Sequence, residues 1–222
     1  MLAAGMALVG VAFLAEQSDT TAVELTATLW LQRFTAPWFA TFMYMVSWPG
    51  YQPQSWVLPV VVAVPFAVRG MWIEALWLVA TQIASLVDML LKLVVNRPRP
   101  SHDLVGVLAP LSDSSFPSGH TVQYTALFGC AFFLIYVLAK RSSSRTIALT
   151  LLCVPIVLVG PSRLYLGQHW LSDVLGGYAV AVLFLVPYCW VYARWRLAHA
   201  KQRWGSRHPR APRSGVLPTT LL

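Results

Sequence analysis

Charge is what this sequence has least of. Only 8 of its 222 residues are acidic and 16 are Lys or Arg, so 11% of the chain is charged against 57% hydrophobic. A soluble domain carries about a quarter charged residues, so the shortfall excludes an ordinary water-soluble globule. Cysteine is scarce too. Cys130, Cys153 and Cys189 each fall in an apolar stretch without a CxxC neighbour, which leaves no basis for a zinc site or a disulfide framework. They read as small packing residues. Clustered carboxylates, which hard cations need, are missing, and no metal or other cofactor is expected. No repeat, low-complexity tract or composition shift marks a second domain.

The basic residues are present but unevenly placed. Arg194, Arg196, Lys201, Arg203, Arg207, Arg210 and Arg213 follow the last apolar stretch, and Lys140, Arg141 and Arg145 share one loop. A nucleic-acid partner would call for basic residues interleaved with aromatics on a soluble face. Clusters flanking apolar spans follow the positive-inside bias instead. Nucleic acid is therefore not expected as a partner, and the basic tail reads as lying on anionic lipid.

A membrane helix needs roughly twenty apolar residues, somewhat fewer where one end meets the headgroups. Six stretches qualify, at about 2–15, 55–69, 72–94, 121–139, 146–160 and 174–193. The first lacks the positive n-region of a signal peptide and is read as a span. The expected fold class is all-α: a six-transmembrane-helix bundle over residues 1–195, followed by a basic cytoplasmic tail, 196–222. Between spans one and two, residues 16–54 predict one or two helices lying in the interface. Trp30, Trp38, Trp48 and Trp56 suit headgroup depth there. This segment packs around the bundle or, in a sharper reading, forms a lid or access path for a lipid. The basic loops place the tail, the 140–145 loop and Arg69 on the cytoplasmic side, together with the N-terminus. Segments 16–54, 95–120 and 161–173 then face outward from a cell membrane.

Three polar clusters interrupt this oily chain. Lys92-Leu-Val-Val-Asn96-Arg97-Pro98-Arg99-Pro100 closes span three. A residue before proline is pushed out of the helical region, so the helix should end near Asn96 and leave in extended form with two guanidiniums. Phe116-Pro117-Ser118-Gly119-His120 opens span four. Ser118 is a good N-cap, Gly119 permits close backbone approach, and such a helix start attracts anions. The third cluster, Ser162-Arg163-Leu-Tyr-Leu-Gly167-Gln168-His169-Trp-Leu-Ser172-Asp173, links spans five and six. Span parity brings all three to one face of the membrane. Together they supply cations, backbone donors, two histidines and a carboxylate, which is what a phosphate site with a nucleophile and an acid requires. Asp88, inside span three and four residues before Lys92, is expected to pair with it. His102 and Asp103 read as a solvated loop.

Lys92-x6-Arg99-Pro100, Pro117-Ser118-Gly119-His120 and Ser162-Arg163-x5-His169-x3-Asp173 match the three-part signature of the type 2 phosphatidic acid phosphatases. The chain resembles that superfamily, which also includes vanadium haloperoxidases and glucose-6-phosphatases, at every signature position. The resemblance implies that His169 attacks phosphorus and forms a phosphohistidine, that Asp173 orients His169, and that His120 protonates the leaving group. It implies that Lys92, Arg99, Arg163, Ser118 and the Gly119 N–H hold the phosphoryl oxygens. Neutral His169 is favoured by the three cations and opposed by Asp173. The expected activity is metal-independent dephosphorylation of a lipid phosphate or diphosphate: phosphatidate, phosphatidylglycerol phosphate or undecaprenyl diphosphate. Six spans argue against a haloperoxidase, and an intact His169, His120 and Asp173 against a non-catalytic lipid-binding or transport protein.

Overall fold

The computed structural model describes residues 22–207, with side chains as far as residue 199. Its helices are α1 (Ala22–Gln32), α2 (Pro37–Ser47), α3 (Gln54–Ala67), α4 (Trp72–Val79), α5 (Ile83–Val95), α6 (Gly119–Leu138), α7 (Ser143–Tyr165) and α8 (Leu171–Arg207). Short 3-10 turns follow α2 and join α4 to α5. Among the described residues there is no strand. Four stretches are long and apolar enough to cross a membrane: Trp72–Val95, Gly119–Leu138, Ser143–Tyr165 and Leu171–His199. α3 is apolar but has 14 residues, fewer than a full span needs. The expected span at 2–15 lies outside the described residues.

α6 organises the bundle. Its apolar residues are not confined to one face, the pattern of a helix surrounded by others, and 11 of its 20 residues are buried. α4, α5 and α7 pack against it. Ala84, Val122, Ala126 and Val180 form a buried cluster between α5, α6 and α8, edged by Leu91 and Phe184. On the outside, Leu86, Met89, Leu90, Leu93 and Val94 of α5 are all more than half exposed. Such a surface is a liability in water and the normal one in lipid.

The described part of the 16–54 segment, from Ala22 onward, holds the two helices α1 and α2. α1 and α2 pack on the end of α7, where Leu31, Phe39 and Ala40 meet buried Met43, Tyr165 and Leu166. Trp30 and Trp38 point away and are exposed. The Gln32 amide ties this layer to the rest. It donates to the Gly106 and Tyr165 carbonyls at 2.6 and 2.9 Å, and its oxygen accepts from the Gly106 N–H at 3.0 Å.

The link between the last two spans differs from expectation. α7 continues through Pro161 and Arg163 to Tyr165, and α8 begins at Leu171, so the linking segment shrinks from the expected 161–173 to 166–170. The expected span had ended at residue 160, just before Pro161. A membrane helix tolerates proline where neighbours satisfy the freed backbone group, and Arg163 is buried in protein rather than solvated. Residues 186–207 form a second unit, a helical segment in which the Arg194 guanidinium lies over the Trp190 ring at 5.6 Å and the Trp195 and His199 rings are 4.4 Å apart.

Candidate active site

Local rules place the first two clusters. Asn96 ends α5 in the left-handed region at φ 40°, its N–H bonded to the Lys92 carbonyl. Two X-Pro steps then carry Arg97 and Arg99 away from the helix. Ser118 stands at the N-cap of α6 with extended backbone. Its hydroxyl makes no cap bond and instead meets the Thr121 hydroxyl at 3.0 Å. Its backbone N–H donates to the Asp173 carbonyl at 3.0 Å, fastening the second cluster to the third.

His169 is 1% exposed. Its Nδ1 lies 2.8 Å from the Ser115 carbonyl oxygen. A carbonyl only accepts, so Nδ1 carries the ring proton and Nε2 keeps its lone pair. Nε2 faces Arg99 Nη1 at 3.2 Å. Burial pushes the His169 pKa well below the ordinary imidazole value, and the cations Arg99, Arg163 and Lys92 push it further; the Ser115 bond opposes them. Neutral imidazole therefore prevails, a balance the sequence left open.

Asp173 is fully buried. Its Oδ2 is 3.5 Å from His169 Nδ1, and it also accepts from the Ser115 hydroxyl and from the Trp170 N–H at 2.7 Å. Since α8 starts at Leu171, His169 and Asp173 do not share a helical turn. Asp173 instead reaches back to the helix start in the manner of a capping box. Its other oxygen accepts from Arg97 Nη1 at 2.5 Å. Arg97 also donates to Ser172 Oγ at 2.6 Å and to Glu24 Oε2 at 2.9 Å. Breaking such a buried ionic chain at one member costs about 3–5 kcal/mol.

Arg163 is fully buried. Nη1 donates to the Tyr51 hydroxyl at 3.1 Å, and the guanidinium stacks 5.2 Å from the Tyr51 ring. Its Nε and Nη2 have no hydrogen-bond partner among the described residues. Unsatisfied buried donors cost about 1–3 kcal/mol each, and these two remain available to an acceptor. The Tyr51 hydroxyl donates to Gln168 Oε1 at 2.9 Å. The same ring meets His120 edge-on, with centroids 4.7 Å apart. His120 is nearly buried and its Nε2 has no partner among the described residues. A Cβ at Gly50 would come within 2.4 Å of the His120 ring, so that position accommodates glycine alone.

Lys92 was expected to pair with Asp88. They do form an ion pair at 3.9 Å, and Asp113 is a second, closer partner at 2.6 Å from Lys92 Nζ. Asp113 also accepts from Arg99 Nη2 at 2.6 Å, and its carbonyl accepts from Arg99 Nε at 2.8 Å. Burial raises the Asp113 pKa, but the bond and charge of Lys92 and Arg99 outweigh it and bring the value to about 2. Asp88 rests against Gly119. His102 and Asp103 are exposed. Among the described residues no three His, Cys, Asp or Glu side chains are grouped to hold a metal ion.

The three clusters thus converge. His169 feels Lys92, Arg99 and Arg163, and His120 lies within electrostatic reach of Arg163, His169 and Lys92. Sequence reasoning assigned no role to Glu24, Tyr51, Asp113, Ser115 or Gln168. Only Glu24 carried a signal, as a lone acid in an apolar interfacial run.

An all-helical membrane protein with a cationic site built around a neutral histidine is the class that fold and site define. The model of the PAP2 superfamily matches residues 72–197. The phosphatidylglycerophosphatase B of Bacillus subtilis (strain 168) is 34% identical over 181 residues, covering 78% of this chain and 83% of that protein. The crystal structure of a transmembrane PAP2-type phosphatidylglycerolphosphate phosphatase from Bacillus subtilis superimposes with a TM-score of 0.75 at 25% identity, over 87% of this chain and 96% of that one. The undecaprenyl-diphosphatase BcrC of Bacillus subtilis is 34% identical over 106 residues, 46% of this chain and 50% of that protein. The chain belongs to the PAP2 superfamily, and it is an integral-membrane lipid phosphatase.

Proposed function

We propose that this phosphatase acts on a lipid phosphate or diphosphate through a phosphohistidine formed on His169. One observation carries the reading: a neutral His169 presents its unprotonated Nε2 beside Arg99 and within the field of Lys92 and Arg163. Nε2 attacks phosphorus, and the bond from phosphorus to the lipid oxygen breaks. The charge spread over the phosphoryl oxygens is met by Lys92, Arg99 and Arg163, with Ser118 and the Gly119 N–H beside them. His120 gives its proton to the departing oxygen. Water then attacks the phosphohistidine, returning a proton to His120 and releasing phosphate and free His169. Asp173 and the Ser115 carbonyl face the Nδ1–H throughout and stabilise the positive charge the ring acquires.

The distribution of basic residues supports a site opening on the extracytoplasmic face of the cell membrane, with both termini cytoplasmic and the tail at 196–222 lying on anionic lipid. The kinship with phosphatidylglycerophosphatase B makes phosphatidylglycerol phosphate the first substrate to test, beside phosphatidate and undecaprenyl diphosphate. The detergent-solubilised chain should release phosphate from at least one of these lipids, with kcat/KM unaltered in excess EDTA. Release that stops on chelation and returns with Mg²⁺ would show that a metal, not these cations, meets the phosphoryl charge. No release from any of the three would overturn the reading.

A further inference from the structure

Glu24 lies 145 residues before His169, on a helix the motifs do not reach, yet it ends in the same ionic chain. Glu24, Arg97 and Asp173 are 6%, 7% and 0% exposed and come from α1, the 96–118 segment and α8. Arg97 stands between two carboxylates, 2.9 Å from Glu24 and 2.5 Å from Asp173. Glu24 also accepts from the Ser172 hydroxyl and from the Ser172 N–H at 3.2 Å. The Arg97 backbone is held by Ser114 and Ser115, and the Ser115 hydroxyl donates to Asp173. Arg97 is not a signature residue, and the phosphate cations are other side chains.

We infer that Arg97 and Glu24 are positioning residues for the nucleophile: the Glu24–Arg97 pair holds the Asp173 carboxylate beside His169 Nδ1 and balances its charge, so that α1 helps to set the basicity of His169. The inference rests on His169 being the nucleophile. The charged and titratable groups around His169 are Lys92 on α5, Arg99, His120 on α6, Arg163 on α7 and Asp173 on α8. Asp113 acts at one remove through Arg99, and Glu24 at one remove through Arg97. The reactive form needs neutral His169 and ionised Asp173. Removing the Arg97 charge leaves Asp173 uncompensated, so the His169–Asp173 pair takes up its inactivating proton at a higher pH, on whichever member it settles. Removing the Glu24 charge gives Asp173 a larger share of the Arg97 field and moves that pH the other way.

The test is the acid limb of kcat/KM for the full chain in detergent, with dioctanoyl phosphatidate as substrate. The substrate's own ionisation is common to every variant. Arg97→Gln should raise the acid limb by roughly one pH unit, Glu24→Gln should lower it by less, and Arg97→Lys should leave it in place even if kcat falls. Opposite shifts are not the signature of a packing defect. Should Arg97→Gln fail to fold, the Glu24→Gln and Arg97→Lys profiles still decide the matter. Limbs that coincide with wild type in Glu24→Gln and Arg97→Gln would overturn the inference, as would shifts in the same direction. Trapping radiolabelled phosphoenzyme in wild type and His169→Ala separates the premise. Label retained in His169→Ala means the nucleophile has been misassigned; label lost there, with unmoved limbs, refutes the role of Arg97 and Glu24 alone.

Discussion

His120 is assigned a proton to give, and that proton matters most to a leaving group that departs reluctantly. A lipid alkoxide is strongly basic, whereas p-nitrophenolate leaves unaided. General acid catalysis is typically worth about 10²–10⁴-fold, so His120→Ala should lose that much on phosphatidate and far less on p-nitrophenyl phosphate. Equal losses on the two substrates would make His120 a packing residue against Tyr51. Asp113 presents a different question at the same scale. Its carboxylate grips Lys92 and Arg99, the cations assigned to phosphate. The Asp113 side chain is 54% exposed, so solvent screening limits the contact to about 1 kcal/mol, or about fivefold. Asp113→Asn should therefore let vanadate inhibit at about one-fifth the concentration. Its folded pKa is depressed, so the bridge is complete above pH 4 and dissolves as the pH falls through about 2. The difference between variant and wild type should then be flat from pH 5 to 8. Unaltered vanadate inhibition would mean that Asp113 stays with both cations when an anion binds.

At the scale of elements, the site depends on how the irregular 96–118 segment is pinned. Leu108 N–H donates to the Leu166 carbonyl, the Gln168 amide to the Ala109 carbonyl, and Gln32 clamps Gly106. Gly167 makes this docking possible. It holds φ at +65°, and a Cβ there would meet the Gly106 carbonyl oxygen at 2.2 Å. Backbone strain of this kind costs about 1–3 kcal/mol, and the clash falls on backbone that cannot swing aside. Gly167→Ala should lower the melting temperature in detergent and, by shifting His169 two residues away, reduce kcat on both lipid and aryl substrates. Wild-type melting and activity in this variant would show that the segment can re-dock at no cost.

For the whole molecule, the apolar exterior of α5 and the long apolar helices require a bilayer, and the placement of the basic residues makes a testable prediction of its orientation. With Cys130, Cys153 and Cys189 replaced, a cysteine at Ser112 should react with an impermeant thiol reagent in intact cells. A cysteine at Ser206 should react only after permeabilisation. The reverse pattern would invert the topology and with it the face from which substrate arrives.

Hydropathy, proline placement and span parity, which are local or additive properties, were enough to find the long apolar helices, the end of α5 at Asn96, the start of α6 after Ser118 and the meeting of the three motifs on one face. They also brought His169, His120 and Asp173, the residues the three-part signature singles out, to that face. Tertiary structure decided the rest, because the remaining interactions join residues far apart in the chain. Residues 161–165 were expected in the linking loop, yet they continue α7, with Arg163 buried and bonded to Tyr51. Ser115, 54 positions from His169, fixes which ring nitrogen carries the proton. Glu24 reaches Ser172 across 148 positions. Whether His169 is neutral depends on burial and three cations set against the Ser115 bond, and that balance exists only once the chain has brought all of them around a single imidazole.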